Sequence, residues 1–214
     1  MRLFLSSYRA GKYDGQLLKL LNGIDKVAVI TNAKDYKTAA DRLNKIKENF
    51  DYYRSIGIEP TEIDLRPVFN KAGAEELLDS YKFIWLAGGN VFLLRRALAY
   101  TGLDKYLVAR AQDNSIILGG ESAGAIIIGP TLKYSEMDSD EDSPKYIPAG
   151  YEAGIIWEGL SLVDYVPVPH YKSGDYGAEI DKYIAKLDKH SIAHRDLTDE
   201  QAILVDGKTE TFLN

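Results

Sequence analysis

Residues 115–129 read SIILGGESAGAIIIG: an apolar run, two glycines, then Ser122 inside Gly120-Glu121-Ser122-Ala123-Gly124, then a second apolar run. Ser115–Leu118 is short and rich in β-branched residues and reads as a buried strand, while Ala123–Gly129 reads as the start of a helix. A serine flanked by small residues between a strand and a helix is the pattern of a nucleophile elbow. The neighbours must be small because the backbone there is strained and adjacent chain passes close. The Ser122 hydroxyl is then expected at the tip of the strand and the N-terminal end of a helix. Free N–H groups and the helix dipole favour developing negative charge at that point. The plainer reading is a glycine-rich turn with an incidental serine, and the strand–helix context argues against it.

Upstream of this stretch the same alternation repeats. Arg2–Ser6, Lys26–Thr31, Glu62–Leu65 and Phe83–Ala87 read as strands. Helices are expected over Gly15–Leu21, Lys37–Ser55, Ala72–Ser80 and Val91–Tyr100. In the longest of these, closed by Gly57, Leu43, Ile46, Phe50 and Tyr53 form a core-facing stripe at three- and four-residue spacing. The pattern predicts an α/β protein: an open, mostly parallel sheet with helices on both faces, a three-layer sandwich. Ligands of such sheets bind beyond the carboxyl ends of the strands.

The second half is less regular. Glu136–Ser143 (EMDSDEDS) is acidic, is followed by Pro144 and Pro148, and reads as an exposed loop. Gly154–Trp157 and Val163–Val168 are β-like, and Gly177–Leu187 is helical. AILVDGKTETFL closes the chain as a hairpin turning at Asp206-Gly207. With no repeat and no linker in view, residues 1–214 are expected to form a single domain.

The second glycine turn, Ala87-Gly88-Gly89-Asn90, also follows a strand and precedes a helix. Acyl transfer needs backbone N–H donors where a carbonyl oxygen becomes negative. Gly-Gly can present one and Ala123 the other, whereas a bland reading makes Asn90 a helix N-cap. Neither G-x-G-x-x-G nor a P-loop lysine is present, which disfavours nucleotide binding.

A serine nucleophile needs a base, and the chain has three histidines: His170, His190 and His194. His170 closes Val166-Pro167-Val168-Pro169-His170 at the end of a β-like run and is the expected base. His190 reads as a surface residue at a helix C-terminus, and His194 precedes a strand-like or turn region. The orienting acid stays open between Asp199 or Glu200, before AILVD, and Glu136 or Asp138, in the acidic loop. That loop fails as a calcium site, because Ser143 replaces the needed glycine and Ala149 the closing glutamate. No metal and no cofactor is expected.

Composition narrows the class further. The net charge is −6 with no basic run, so nucleic acid is not an expected partner. There are no cysteines, which removes disulfides and thiol chemistry. No segment approaches the ~18 apolar residues of a membrane span. The N-terminal apolar stretch is too short for a secretory signal. A cytoplasmic protein with no membrane partner is expected, and a homodimer is left open.

AGGNVFLLRRAL, GGESAGAIIIGPT, the Pro169-His170 after a β-run and TDEQAILVDG together resemble the peptidase E family. These aspartyl dipeptidases and their relatives share the class I glutamine amidotransferase-like fold, with cyanophycinase a more distant member. The resemblance runs from about Lys26 to Gly207. It implies Ser122 as nucleophile, His170 as base, Gly89 and Ala123 as oxyanion-hole donors, and Asp199 as the triad acid, with Glu200 one step away. A second family acid lies after the nucleophile helix, where this chain has Met137 between Glu136 and Asp138.

The chain departs from the family at two points. Glu121 stands where a tryptophan or small residue is expected; it could stay exposed, contact the substrate amine or perturb the site. The segment GDYGAEIDKYIAK lacks the arginine that holds an aspartyl substrate's carboxylate, leaving Lys172, Lys182 or Arg9 as stand-ins. Asn90 and Glu121 are the expected substrate contacts. The expected activity is dipeptidase- or aminopeptidase-like cleavage of small peptides, with Tyr134, Tyr146, Tyr151, Tyr171 and Tyr176 narrowing the entrance. A non-peptide esterase or amidase, or a silent ligand-binding relative, are the alternatives.

Overall fold

The structure is a computed structural model that describes residues 1–135, 147–152 and 154–214. The acidic loop, and with it Glu136 and Asp138 as candidate acids and Tyr146, lies outside the described residues.

In the first half, strands β1 (Arg2–Ser6), β2 (Lys26–Ile30), β3 (Glu59–Ile63), β4 (Phe83–Leu86) and β5 (Ile117–Glu121) alternate with helices. The helices are α1 (Asp14–Leu21), α2 (Ala39–Ser55), α3 (Val91–Thr101), α4 (Leu103–Gln112) and the short α5 (Ala123–Ile126). The second half carries β6 (Val166–Val168), α6 (Gly177–Lys189), β7 (His194–Asp196), β8 (Ala202–Asp206) and β9 (Thr209–Leu213). The main sheet has seven strands in the order β3-β2-β4-β5-β1-β8-β9, and β6 pairs with β7 separately. From β3 to β1 every pairing is parallel; β8 and β9 continue the sheet antiparallel through the hairpin expected at Asp206-Gly207.

Alternate side chains of the strands go to opposite faces. Leu3, Leu5, Ile30, Ile84, Leu86 and Leu118 pack with α3, α4 and α5. Phe4, Val27, Val29, Phe83 and Trp85 pack with Leu17 and Leu21 of α1 and Tyr53 of α2. The central strands β4 and β5 are buried along their whole length, which is why their sequences show no polar alternation. Helices therefore cover both faces, and the architecture is the three-layer α/β sandwich expected from the sequence.

Several local expectations are corrected. The third strand runs over Glu59–Ile63 rather than Glu62–Leu65. It includes Pro60, which an edge strand tolerates because it needs no donor on its open side. Ala72–Ser80 forms only a 3-10 turn over Ala74–Leu77, entered through Gly73 at φ 86°. Gly154–Trp157 forms no strand; the neighbouring Glu158 makes an isolated bridge to Thr131. Leu103–Gln112 is a helix the apolar pattern leaves unassigned, because Gly102, at φ 70°, ends α3 and starts α4 in one residue. The long helix begins at Ala39, capped by Thr38, whose hydroxyl accepts the Asp41 N–H at 3.2 Å. Ile46 and Tyr53 are buried, but Leu43 is 65% exposed.

Candidate active site

The parallel register places the chemistry. Ser6 at the end of β1 lies opposite Glu121 at the end of β5, and Leu86 at the end of β4 lies opposite Gly120. The next residues along these neighbouring strands are Ser7, Ser122 and the Ala87–Gly89 turn. All three emerge together at the carboxyl edge of the sheet.

Ser122 has φ 51° and ψ −118°, a conformation an L residue adopts only where its surroundings enforce it. Its N–H donates to the Ser6 carbonyl at 3.1 Å, and α5 starts at the next residue. Gly124 makes the sharp turn possible: a Cβ there would lie 1.9 Å from the Leu86 carbonyl oxygen.

His170 reaches the serine from β6, two residues past Val168. Leu197 donates its N–H to the Val168 carbonyl at 2.8 Å, and Tyr171 donates to the Leu197 carbonyl at 3.0 Å. This extension of the β6–β7 ladder brings Asp199 beside His170. The result is a chain of side-chain contacts: Ser122 Oγ to His170 Nε2 at 2.9 Å, and His170 Nδ1 to Asp199 Oδ1 at 2.8 Å. His170 also has a positive φ, 63°. Its Nδ1 edge and backbone are held by Ser7, whose hydroxyl accepts the His170 N–H at 2.8 Å and donates to Asp199 Oδ1 at 2.6 Å.

Gly89 and Ala123 flank the serine. Among the described residues, neither N–H has a backbone acceptor. Gly89 has φ 146°, and a Cβ there would lie 2.2 Å from the Ala33 carbonyl oxygen, so glycine alone fits the turn. Asn90 is a helix N-cap: its side-chain oxygen accepts the Leu93 N–H at 2.9 Å.

Glu121 is not exposed, and that option is corrected. Successive strand residues face opposite ways, so the carboxylate turns under the sheet edge, where it is buried. There it accepts the Arg9 N–H at 2.7 Å and the Asn49 side-chain amide at 2.6 Å. Glu200 points away from His170 and pairs with Lys12 on the surface. Of the tyrosines expected at the entrance, Tyr176 stacks obliquely on His170 at 5.2 Å between ring centroids. Tyr151 instead is buried and donates to Asp35 at 2.7 Å, and Tyr134 lies on the exposed His190. His194 sits on β7 between Asp188 and Asp196.

Of the three stand-in cations, Arg9 lies two residues after Ser7, with its guanidinium over the rings of Tyr8 and Tyr52. Lys172 lies over Tyr171, and Lys182 is exposed on α6. Among the described residues no group of three His, Asp or Glu is arranged to hold a metal ion. No helix among them is long and apolar enough to cross a membrane.

The sequence reading missed Ser7 and Lys34. Ser7 follows β1 directly, so its place at the carboxyl edge becomes visible once β1 is paired beside β5. Lys34 is buried and donates to the Gly88 carbonyl at 2.6 Å, a contact no local pattern announces.

A mostly parallel α/β sheet with a strained serine, a histidine and a carboxylate at its carboxyl edge defines a class of hydrolase-like folds. The sequence profile of peptidase family S51 matches residues 7–213, and the chain belongs to that family. An uncharacterized peptidase of Listeria innocua is 33% identical over 137 residues, covering 60% of this chain and 62% of its own. A peptidase E of Streptomyces coelicolor is 32% identical over 116 residues, covering 54% of this chain and 43% of its own. The chain thus covers less than two thirds of the length of these curated relatives. In fold it is similar to a candidate peptidase E from Listeria monocytogenes, with a TM-score of 0.78 at 22% identity over 99% of this chain and 96% of the other. A peptidase from an acI-B1 actinobacterium gives a TM-score of 0.69 at 16% identity, over 99% and 86% of the two chains.

Proposed function

We propose that the protein is a serine peptidase that cleaves short peptides, in dipeptidase or aminopeptidase fashion, through an acyl-enzyme on Ser122. The observation that carries this reading is the continuous contact from Ser122 Oγ through His170 to Asp199, mounted on a positive-φ serine. With Nδ1–H donated to Asp199, the lone pair of Nε2 faces the Ser122 hydroxyl. His170 takes that proton as Oγ attacks the peptide carbonyl, and Asp199 stabilises the imidazolium. The N–H groups of Gly89 and Ala123 receive the oxyanion. His170 then protonates the leaving amine, and a water activated by the same imidazole releases the acyl group.

Specificity for short substrates is supported by Tyr176, which crowds one side of His170. Of the stand-in cations, Lys172 follows His170 by two residues and Arg9 follows Ser7 by two, and either would meet an acidic group on the substrate. The test is turnover of a panel of dipeptides and aminoacyl chromophores by wild type and Ser122→Ala. Cleavage by the wild type that disappears in the variant is expected. Full activity of Ser122→Ala, or ester turnover with no peptide cleavage, would overturn the reading.

A further inference from the structure

Lys34 is a buried cation that the chemistry above does not use. It lies in the 3-10 turn Asn32–Lys34 after β2, is 7% exposed, and projects toward the glycine turn after β4. Among the described residues its hydrogen-bond acceptor is the Gly88 carbonyl, at 2.6 Å. The preceding residue grips the same turn, since the Ala33 carbonyl accepts the Asn90 N–H at 2.7 Å. Two contacts from one short segment therefore bracket the Gly88–Gly89 peptide.

The chain has no cis peptide among its described residues. In a trans peptide the carbonyl and the N–H lie in one plane and point in opposite directions. Holding the Gly88 oxygen on the Lys34 side thus fixes the Gly89 N–H on the other side, and a cation on the oxygen polarises the N–H. We propose that Lys34 is a positioning residue of the oxyanion hole: through the Gly88 carbonyl it orients and strengthens the Gly89 N–H that receives the oxyanion. This rests on the serine peptidase reading given above.

The cost of a buried ammonium also finds an explanation. Burial pushes the Lys34 ammonium down from its ordinary range, and the negative charge of Glu121 opposes that fall. The unusual Glu121 beside the serine and the buried Lys34 then belong together: the carboxylate offsets part of the burial cost of the ammonium, and the lysine holds the turn.

An interaction used mainly in the transition state lowers kcat and leaves KM nearly alone when removed. Lys34→Met removes the donor and the charge at similar length. Its kcat on the best peptide of the panel is expected to fall on the order of 10–100-fold, with KM within about twofold. Affinity for a peptide aldehyde, which adds Ser122 Oγ to its carbonyl and so makes a tetrahedral oxyanion, should fall by a similar factor. Melting temperatures control for folding, and Lys34→Gln serves as the neutral variant where Lys34→Met does not fold. Unchanged kcat and aldehyde affinity would overturn the proposal. So would a raised KM at constant kcat, which would mark Lys34 as a contact to the substrate carboxylate. Ser122→Ala is run alongside: turnover that survives it removes the peptidase reading itself, whereas its loss with an unaffected Lys34 variant removes only the role of Lys34.

Discussion

Ser7 and Asp199, at opposite ends of the sequence, are joined by a 2.6 Å hydrogen bond from the serine hydroxyl to the carboxylate. Because the same oxygen accepts the His170 N–H, one hydroxyl sets the acid and the backbone of the histidine together. Ser7 is fully buried, so no water can take over both contacts without a rearrangement.

Ser7→Ala is therefore expected to lower kcat. A hydrogen bond to a charged group contributes about 1.5–3 kcal/mol. If most of that is felt in the orientation of His170, the loss is about ten- to a hundredfold. Steady-state kinetics on the folded variant check it, and activity within about twofold of wild type would mean that the histidine is held by other contacts.

Gly89→Ala tests the turn from the other side. The new Cβ would lie 2.2 Å from the Ala33 carbonyl oxygen, and φ 146° disfavours any L side chain. The turn must shift, and the Gly89 N–H moves with it. A loss of at least about 100-fold in kcat is expected, the scale of removing one oxyanion-hole donor. A variant with normal kcat would show that Gly89 plays no part in the chemistry.

Much of the fold was legible because its signals are local. KVAVI and FIWL are short apolar runs rich in β-branched and aromatic residues, the mark of buried strands, while SIIL overlaps a strand that runs later than expected, over Ile117–Glu121, and GGESAGA needs its small residues for the elbow. His170 was legible as the histidine directly after a β-run. Asp199 was separable from Glu200 only by family resemblance, since neighbouring acids differ in direction and not in local pattern. Ser7 and Lys34 were invisible for a related reason. Their partners are His170, Asp199 and Gly88, and the contacts exist only through the order β2-β4-β5-β1. Helix α4 was lost because a single residue, Gly102, both ends α3 and begins the next helix.

Glu121→Ala should act on stability first. The buried carboxylate accepts the Arg9 N–H and the Asn49 amide, and its removal leaves both donors without that partner. Orphaning buried donors costs about 1–3 kcal/mol. For a chain of this size that lowers Tm by about 2–12 °C. Thermal unfolding followed by circular dichroism measures this, and an unchanged Tm would show that water or a neighbour replaces the carboxylate at no cost.

The pH dependence of stability should carry the mark of His194. Its Nδ1 lies 2.7 Å from Asp196 Oδ1 and its Nε2 lies 3.1 Å from Asp188 Oδ1. Only the imidazolium can donate from both nitrogens. Burial lowers the basicity of the ring, but the hydrogen bonds to Asp188 and Asp196 outweigh it and raise the pKa above 6.5. A raised value in the folded state means that the unfolded chain releases the proton first as pH increases. The stabilisation is therefore complete below the unfolded value, about 6.5, and fades as pH rises through the folded one. His194→Gln should lower Tm more at about pH 5.5 than at about pH 9, because the charge-dependent part of the stabilisation fades as pH rises. Asp188 is largely exposed, so added salt should shrink the acidic difference. Equal Tm differences at both pH values would show that His194 contributes by packing on β7 and not by its charge.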